Sequence, residues 1–81
     1  MAKQIGIVTN YFGHIDVAAI KLTDKLKIGD KIKFSGGDVE FEQDVKSMQI
    51  NRKDITEAKK GDEIGIIVNE KVRKEYKVFK I

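Results

Sequence analysis

The chain is predicted to be a small all-β domain, a closed barrel of about six strands. Three observations predict it. Short apolar-alternating runs recur along the whole length, no long amphipathic helical pattern interrupts them, and the connections between them are short. A barrel of this size removes exposed sheet edges, which suits a chain whose strands are all short. At 81 residues a single domain, residues 1–81, is expected.

Residues 3–12 are rich in Ile, Val, Tyr and Phe and read as the first strand. Gly13-His14 then offers a tight turn, and residues 15–23 form the return strand of a hairpin. Lys31-Ile32-Lys33-Phe34 alternates cleanly, with Ile32 and Phe34 on one side. After the Ser35-Gly36-Gly37 turn, Val39, Phe41 and Val45 share one parity. Asp38, Glu40, Glu42 and Asp44 share the other, so the acids face solvent. Met48 and Ile50 stand at the opposite parity, and a bulge near Lys46-Ser47 is expected to reset the direction. Residues 51–60 read as a turn or a single helical turn capped by Asp54. Residues 63–68 form an apolar strand, and a closing strand starts at Tyr76.

Two Gly-Asp pairs punctuate this pattern. Leu26-Lys27-Ile28-Gly29-Asp30-Lys31-Ile32 is echoed by Ala58-Lys59-Lys60-Gly61-Asp62-Glu63-Ile64. Gly adopts backbone angles that other residues avoid, and Asp bonds nearby amides, so each pair reads as a turn feeding a strand.

Composition narrows the function. Charged residues make up 36% of the chain, well above the roughly 25% of an average protein, as expected for a soluble, cytoplasmic chain. Cys is absent, which excludes disulfides, thiolate metal sites and cysteine nucleophiles. No leader and no membrane-length apolar run is read. The chain has no phosphate-binding Gly-rich loop, one histidine, and no nucleophile elbow around Ser35 or Ser47. An enzyme is therefore not expected, and neither a cofactor nor a metal.

The basic charge is uneven. Residues 71–81 carry Lys71, Arg73, Lys74, Lys77 and Lys80 against Glu75, and residues 46–60 carry Lys46, Arg52, Lys53, Lys59 and Lys60 against Asp54 and Glu57. Such clusters either form a patch for an anionic partner or serve solubility. Tyr11, Phe12 and His14 meet at the predicted hairpin tip. There Tyr11 either stacks on an unpaired base or packs against the barrel rim.

Gly6-x-Val8, Leu26-x-Ile28-Gly29-Asp30-x-Ile32, Val45-x-Ser47-Met48-Gln49-Ile50 and Ala58-x-x-Gly61-Asp62-x-Ile64-Gly65-Ile66 occur in an order that resembles the second-domain β-barrel of translational GTPases such as elongation factor Tu. The chain looks most like the free-standing, archaeal-type elongation-factor-like proteins. A similar barrel is also appended to some collagenase-like peptidase-family proteins linked to RNA modification. The resemblance implies a closed six-stranded barrel of the reductase/isomerase/elongation-factor common type, which binds rather than catalyses. It implies a translation-associated role through transfer RNA or ribosomal RNA, with no DNA specificity and no membrane. Gln49 and Arg52 are then the contacts carried over, with Lys46, Lys53, Lys59, Lys60, Arg73 and Lys74 supplying phosphate contacts. The other expectation is an accessory barrel that docks on a protein partner, such as a separate GTPase or an RNA-modification enzyme, through Tyr11, Phe12 and Ile15.

Overall fold

The computed structural model describes residues 3–81, and these contain ten β-strands and no helix. The strands are β1 (Lys3–Phe12), β2 (Val17–Leu22), β3 (Leu26–Lys27), β4 (Lys31–Gly36) and β5 (Val39–Asp44), followed by β6 (Met48–Ile50), β7 (Lys53–Ile55), β8 (Glu57–Ala58), β9 (Glu63–Ile67) and β10 (Lys77–Lys80). The all-β expectation stands. The closed six-stranded barrel does not: eight strands form an antiparallel sheet in the order β5-β4-β10-β1-β2-β9-β6-β7, and β3 pairs with β8 in a separate ribbon. β5 and β7 are the edges of the large sheet. The ladder does not return from one to the other, and β6 meets β9 at a single register position, Gln49 opposite Gly65.

One side chain spans the opening. Gln43, on β5, is 8% exposed and is the one buried polar side chain among the described residues. Its Nε2 donates to the Ile67 carbonyl at 2.8 Å, and its Oε1 accepts from the Asn69 amide at 2.9 Å. A side-chain amide thus imitates a strand backbone, offering one donor and one acceptor to the segment that leaves β9.

The core follows the alternation. Ile20, Leu22, Ile32, Phe34, Ile64, Ile66 and Val78 are buried with Val45 and Met48, and Phe34 stacks on Phe41 with ring centroids 5.0 Å apart. Outside it, Lys33 pairs with Glu40 at 3.4 Å and Lys31 with Glu42 at 3.8 Å, so part of the acidic face is balanced across strands. The parity change after Val45 is a strand break rather than a bulge. β5 ends at Asp44, and the Val45 amide and carbonyl bond Asp30 and Gly29 before β6 begins.

The bulges lie in β1 instead, between Gln4 and Gly6 opposite β10, and between Val8 and Asn10 opposite β2. The second inverts the facing of the strand. Val8 points into the core, and one extra residue later Tyr11 does so, which turns Phe12 outward.

The Gly-Asp echo is a repeated turn. Gly29 and Gly61 have φ of 95° and 94°. In each turn the Asp amide donates to a Lys carbonyl three residues back, Asp30 to Lys27 at 3.1 Å and Asp62 to Lys59 at 3.0 Å. The Asp carboxylate accepts the same lysine's amide, at 3.0 Å in both. Positive φ at the third residue and the closing hydrogen bond are those of a type II turn. The β3–β8 ribbon, which pairs Leu26 with Ala58, joins the two copies side by side.

Residues 51–60 hold a hairpin rather than a helical turn. Ile50 pairs with Lys53, which leaves Asn51-Arg52 as a two-residue loop with φ of 53° and 66°. Two positive φ values match a type I′ turn, which favours Asn first and Gly second. Arg52→Gly is therefore expected to raise stability by about 0.5–1 kcal/mol, read as a higher urea midpoint with unchanged slope.

Lys3 at the start of β1 lies 2.6 Å from Asp24. That ion pair, then the Lys25 amide, holds the Asp24 carboxyl below its ordinary value of 3.8. Its stabilisation is present above pH 3.8 and is lost as pH falls through the lower folded value. Asp24→Asn should flatten that acid-side slope in thermal melts taken across the acid range.

Candidate docking face and surface grooves

The predicted tip residues come together. Phe12 pairs with Val17, so the β1–β2 connection is a four-residue loop, residues 13–16, rather than a Gly13-His14 turn. Ile15 donates its amide to the Phe12 carbonyl at 3.2 Å, and Asp16 sits at φ 55°. The Asp16 carbonyl accepts the Val68 amide at 2.8 Å, which ties the loop to the end of β9.

Tyr11 is not free to stack on a ligand. Its ring packs against the core, and its hydroxyl lies 3.3 Å from Asp16 Oδ1. Partial burial, then the hydrogen bond and charge of Asp16, raise the hydroxyl's pKa above its ordinary value. His14 is exposed at the tip.

Phe12, by contrast, faces out. It pairs with Val17, and Val17 pairs with Ile67 on β9, so three strands place an apolar row on one outer face. Phe12 is 39%, Ile67 57% and the adjacent Ile15 54% exposed. Gly65 keeps the row continuous, because a Cβ there would come within 3.3 Å of Val17 Cγ1. Ile67 was missed in the sequence, where it read as one more apolar residue of a buried strand. Its position next to Ile66, which alternation turns inward, was the available signal.

The basic residues do not converge. Arg52 and Lys53 occupy the tip of the β6–β7 hairpin at a sheet edge, and Gln49 beside them donates to Asp54 at 3.0 Å. Lys59 and Lys60 belong to the second Gly-Asp turn, held against Leu22. Arg73 and Lys74 lie in the loop before β10, whose Glu75 and Tyr76 bond Val8. Lys46 stands by the Gln43 opening, in a groove of about 420 Å³ that also takes in Lys31, Asp44 and Asn69. A second groove of about 650 Å³ lies between the Gly-Asp turns. There Lys25, Lys27, Lys59 and Lys80 alternate with Asp30, Glu57 and Asp62, and Lys80 bonds Asp30 at 3.3 Å. Mixed signs give neither groove a strong field for an anion.

Among the described residues no group of three His, Asp or Glu is arranged to hold a metal, and no buried side-chain polar atom lacks a partner. No helix is long and apolar enough to cross a membrane.

Comparison with known proteins redirects the reading. Over 77 residues, 94% of the chain, the sequence is 44% identical to a Methanocaldococcus jannaschii protein described as an uncharacterized protease. The match takes in 19% of that protein, so the chain spans about a fifth of its relative. The C-terminal domain of a Geobacillus thermoleovorans putative U32 peptidase superposes with a TM-score of 0.91, covering 98% of this chain and 92% of that one, at 16% identity. A selenomethionine variant of the same domain gives 0.89 at 15% identity, covering 94% and 96%. The two domains share a fold. No protein-family model matches the chain.

These findings correct the resemblance to translational GTPases. The relative is a protein named as a protease, and the matching structures are a U32 peptidase domain rather than an elongation-factor barrel. The expected role in translation through RNA contacts at Gln49, Arg52 and the lysines goes with it.

Proposed function

We propose that this chain is a non-catalytic accessory domain of the U32-peptidase type, one that works by docking on the body of such a protein, where the chemistry resides. The observation that carries the reading is the 44% identity, running almost end to end through this chain yet occupying a fifth of the relative. A unit so well matched within a much longer protein is a module attached to something larger. The arrangement of polar groups supports it. The buried amide of Gln43 is engaged in joining strands, and the Asp30 and Asp62 carboxylates in closing turns.

The test is reconstitution. The chain replaces the corresponding segment of the Methanocaldococcus protein, and melting of the chimera is followed. One transition, higher than that of the truncated protein, is expected. Hydrolysis of labelled casein by the chain alone, or a chimera that melts in two transitions unchanged from those of its separate parts, would contradict the reading.

A further inference from the structure

We infer that the outward row of Phe12, Val17 and Ile67, with Ile15 at its end, is the face through which the domain packs on the larger body. This rests on the accessory-domain reading above and names the surface it uses. Three observations converge on the row. It is built by register across β1, β2 and β9, so it is a fixed part of the sheet. The Thr9 bulge is what turns Phe12 outward, and Thr9 is pinned there with Oγ1 2.7 Å from Glu63 Oε2 and 3.3 Å from the Ala19 carbonyl. The row itself carries no charge. The Asp16 carboxylate, between Ile15 and Val17 in sequence, is engaged by the Tyr11 hydroxyl.

Area selects the occupant. Exposures of 39, 54 and 57% leave on the order of 300 Å² of apolar surface, against about 800 Å² per partner in a stable free complex. That is too little to hold a second copy of this chain firmly. It suits a partner joined covalently, because a tether supplies an effective concentration on the order of millimolar. The relative supplies such a partner, the four-fifths of its chain that this domain does not match. The complementary surface is apolar, since the row it meets carries no charge.

The test places this chain in the Methanocaldococcus protein in exchange for the corresponding segment. Hydroxyl-radical footprinting then compares side-chain labelling in the chimera and in the free chain. Labelling of Phe12, Ile15 and Ile67 is expected to fall several-fold in the chimera, while Ile28, on another face, keeps its rate. An Ile15→Ser/Ile67→Ser chimera should return Phe12 to the free rate, with the free variant melting as the parent does. If Ile28 or another face is shielded instead, the surface is wrong and the accessory reading survives. If no side chain changes in a folded chimera, both fail. A chimera that does not fold is replaced by the chain joined to the truncated relative through a flexible linker, with the same readout. Self-association of the free chain that the double substitution abolishes would assign the row to a second copy and overturn the inference.

Discussion

Gly36→Ala is expected to cost about 2–3 kcal/mol, a large fraction of the stability of so small a domain. The reason lies in Tyr76. A Cβ on Gly36 would overlap Tyr76 Cδ1 and stand 2.6 Å from Cγ and 2.7 Å from Cε1, far inside contact distance. These are atoms of a rigid ring near its attachment, and the ring cannot swing away as the tip of a lysine would. The backbone behind it is held as well, since the Tyr76 carbonyl accepts the Val8 amide at 2.8 Å and the Tyr76 amide bonds the Arg73 carbonyl at 3.3 Å. A methyl at position 36 must therefore displace the ring from the edge of the core or part β4 from the segment leading into β10. Restricting the unfolded chain returns about 0.4–1 kcal/mol, too little to change the sign.

A double-mutant cycle isolates the cause. With Tyr76→Ala in place there is no ring to meet, so Gly36→Ala should become neutral or slightly stabilising, giving a coupling of about 2 kcal/mol in urea unfolding. If Gly36→Ala costs as much without the ring as with it, the backbone at the end of β4 is the cause, and the packing account is wrong.

Much of the fold was legible because local rules decided it. The acids from Asp38 to Asp44, the inward Phe34 and Phe41, and the two Gly-Asp turns all lie where alternation and turn chemistry put them. What was not legible depended on partners far away in sequence. The Asn51-Arg52 loop was legible only as part of a longer turn or helical turn, because Arg is a poor I′ residue, held at φ 66° by the pairing of β6 with β7. The bulge at Thr9 answers to β2 and cannot be seen in β1 alone. It decided that Phe12, rather than Tyr11, would be the exposed aromatic at the tip.

The mistaken resemblance has a physical reason. Gly29, Asp30, Gly61 and Asp62 shape turns, and Val8, Met48, Ile64 and Ile66 are buried in the core. Residues of that kind report on how a chain folds, and one fold serves proteins of different function. A shared set of turn and core residues could therefore suggest a barrel-like fold without saying which protein it serves. The surface differs from that set. Phe12, Ile15 and Ile67 contribute nothing to the motif and carry the proposed docking face.

Gln43 is where the sequence was read too simply and where a substitution should tell most. It sits at the same parity as Phe41 and Val45, a polar residue in an inward slot, and it bridges an opening that no strand pair closes. Gln43→Leu keeps the bulk but leaves the Ile67 carbonyl and the Asn69 amide without their partner, at a cost of about 2–3 kcal/mol and with no new pH dependence. Gln43→Glu is the sharper probe. Its carboxylate still accepts from the Asn69 amide but turns a second acceptor toward the Ile67 carbonyl. Burial and that repulsion both raise the folded carboxyl's pKa above the unfolded value of about 4.3. When protonated, the same group donates to Ile67 and restores the clasp. The sign follows from the protons bound. Between the unfolded and folded values the native state holds the extra proton, so the variant is most stable below about pH 4.3 and weakens as pH rises through the folded value. Chemical denaturation from acid to neutral pH, set against wild type and Gln43→Leu, reads this directly. A Gln43→Glu profile parallel to wild type would mean that the side chain has swung into solvent, and that the opening between β5 and β9 holds together without it.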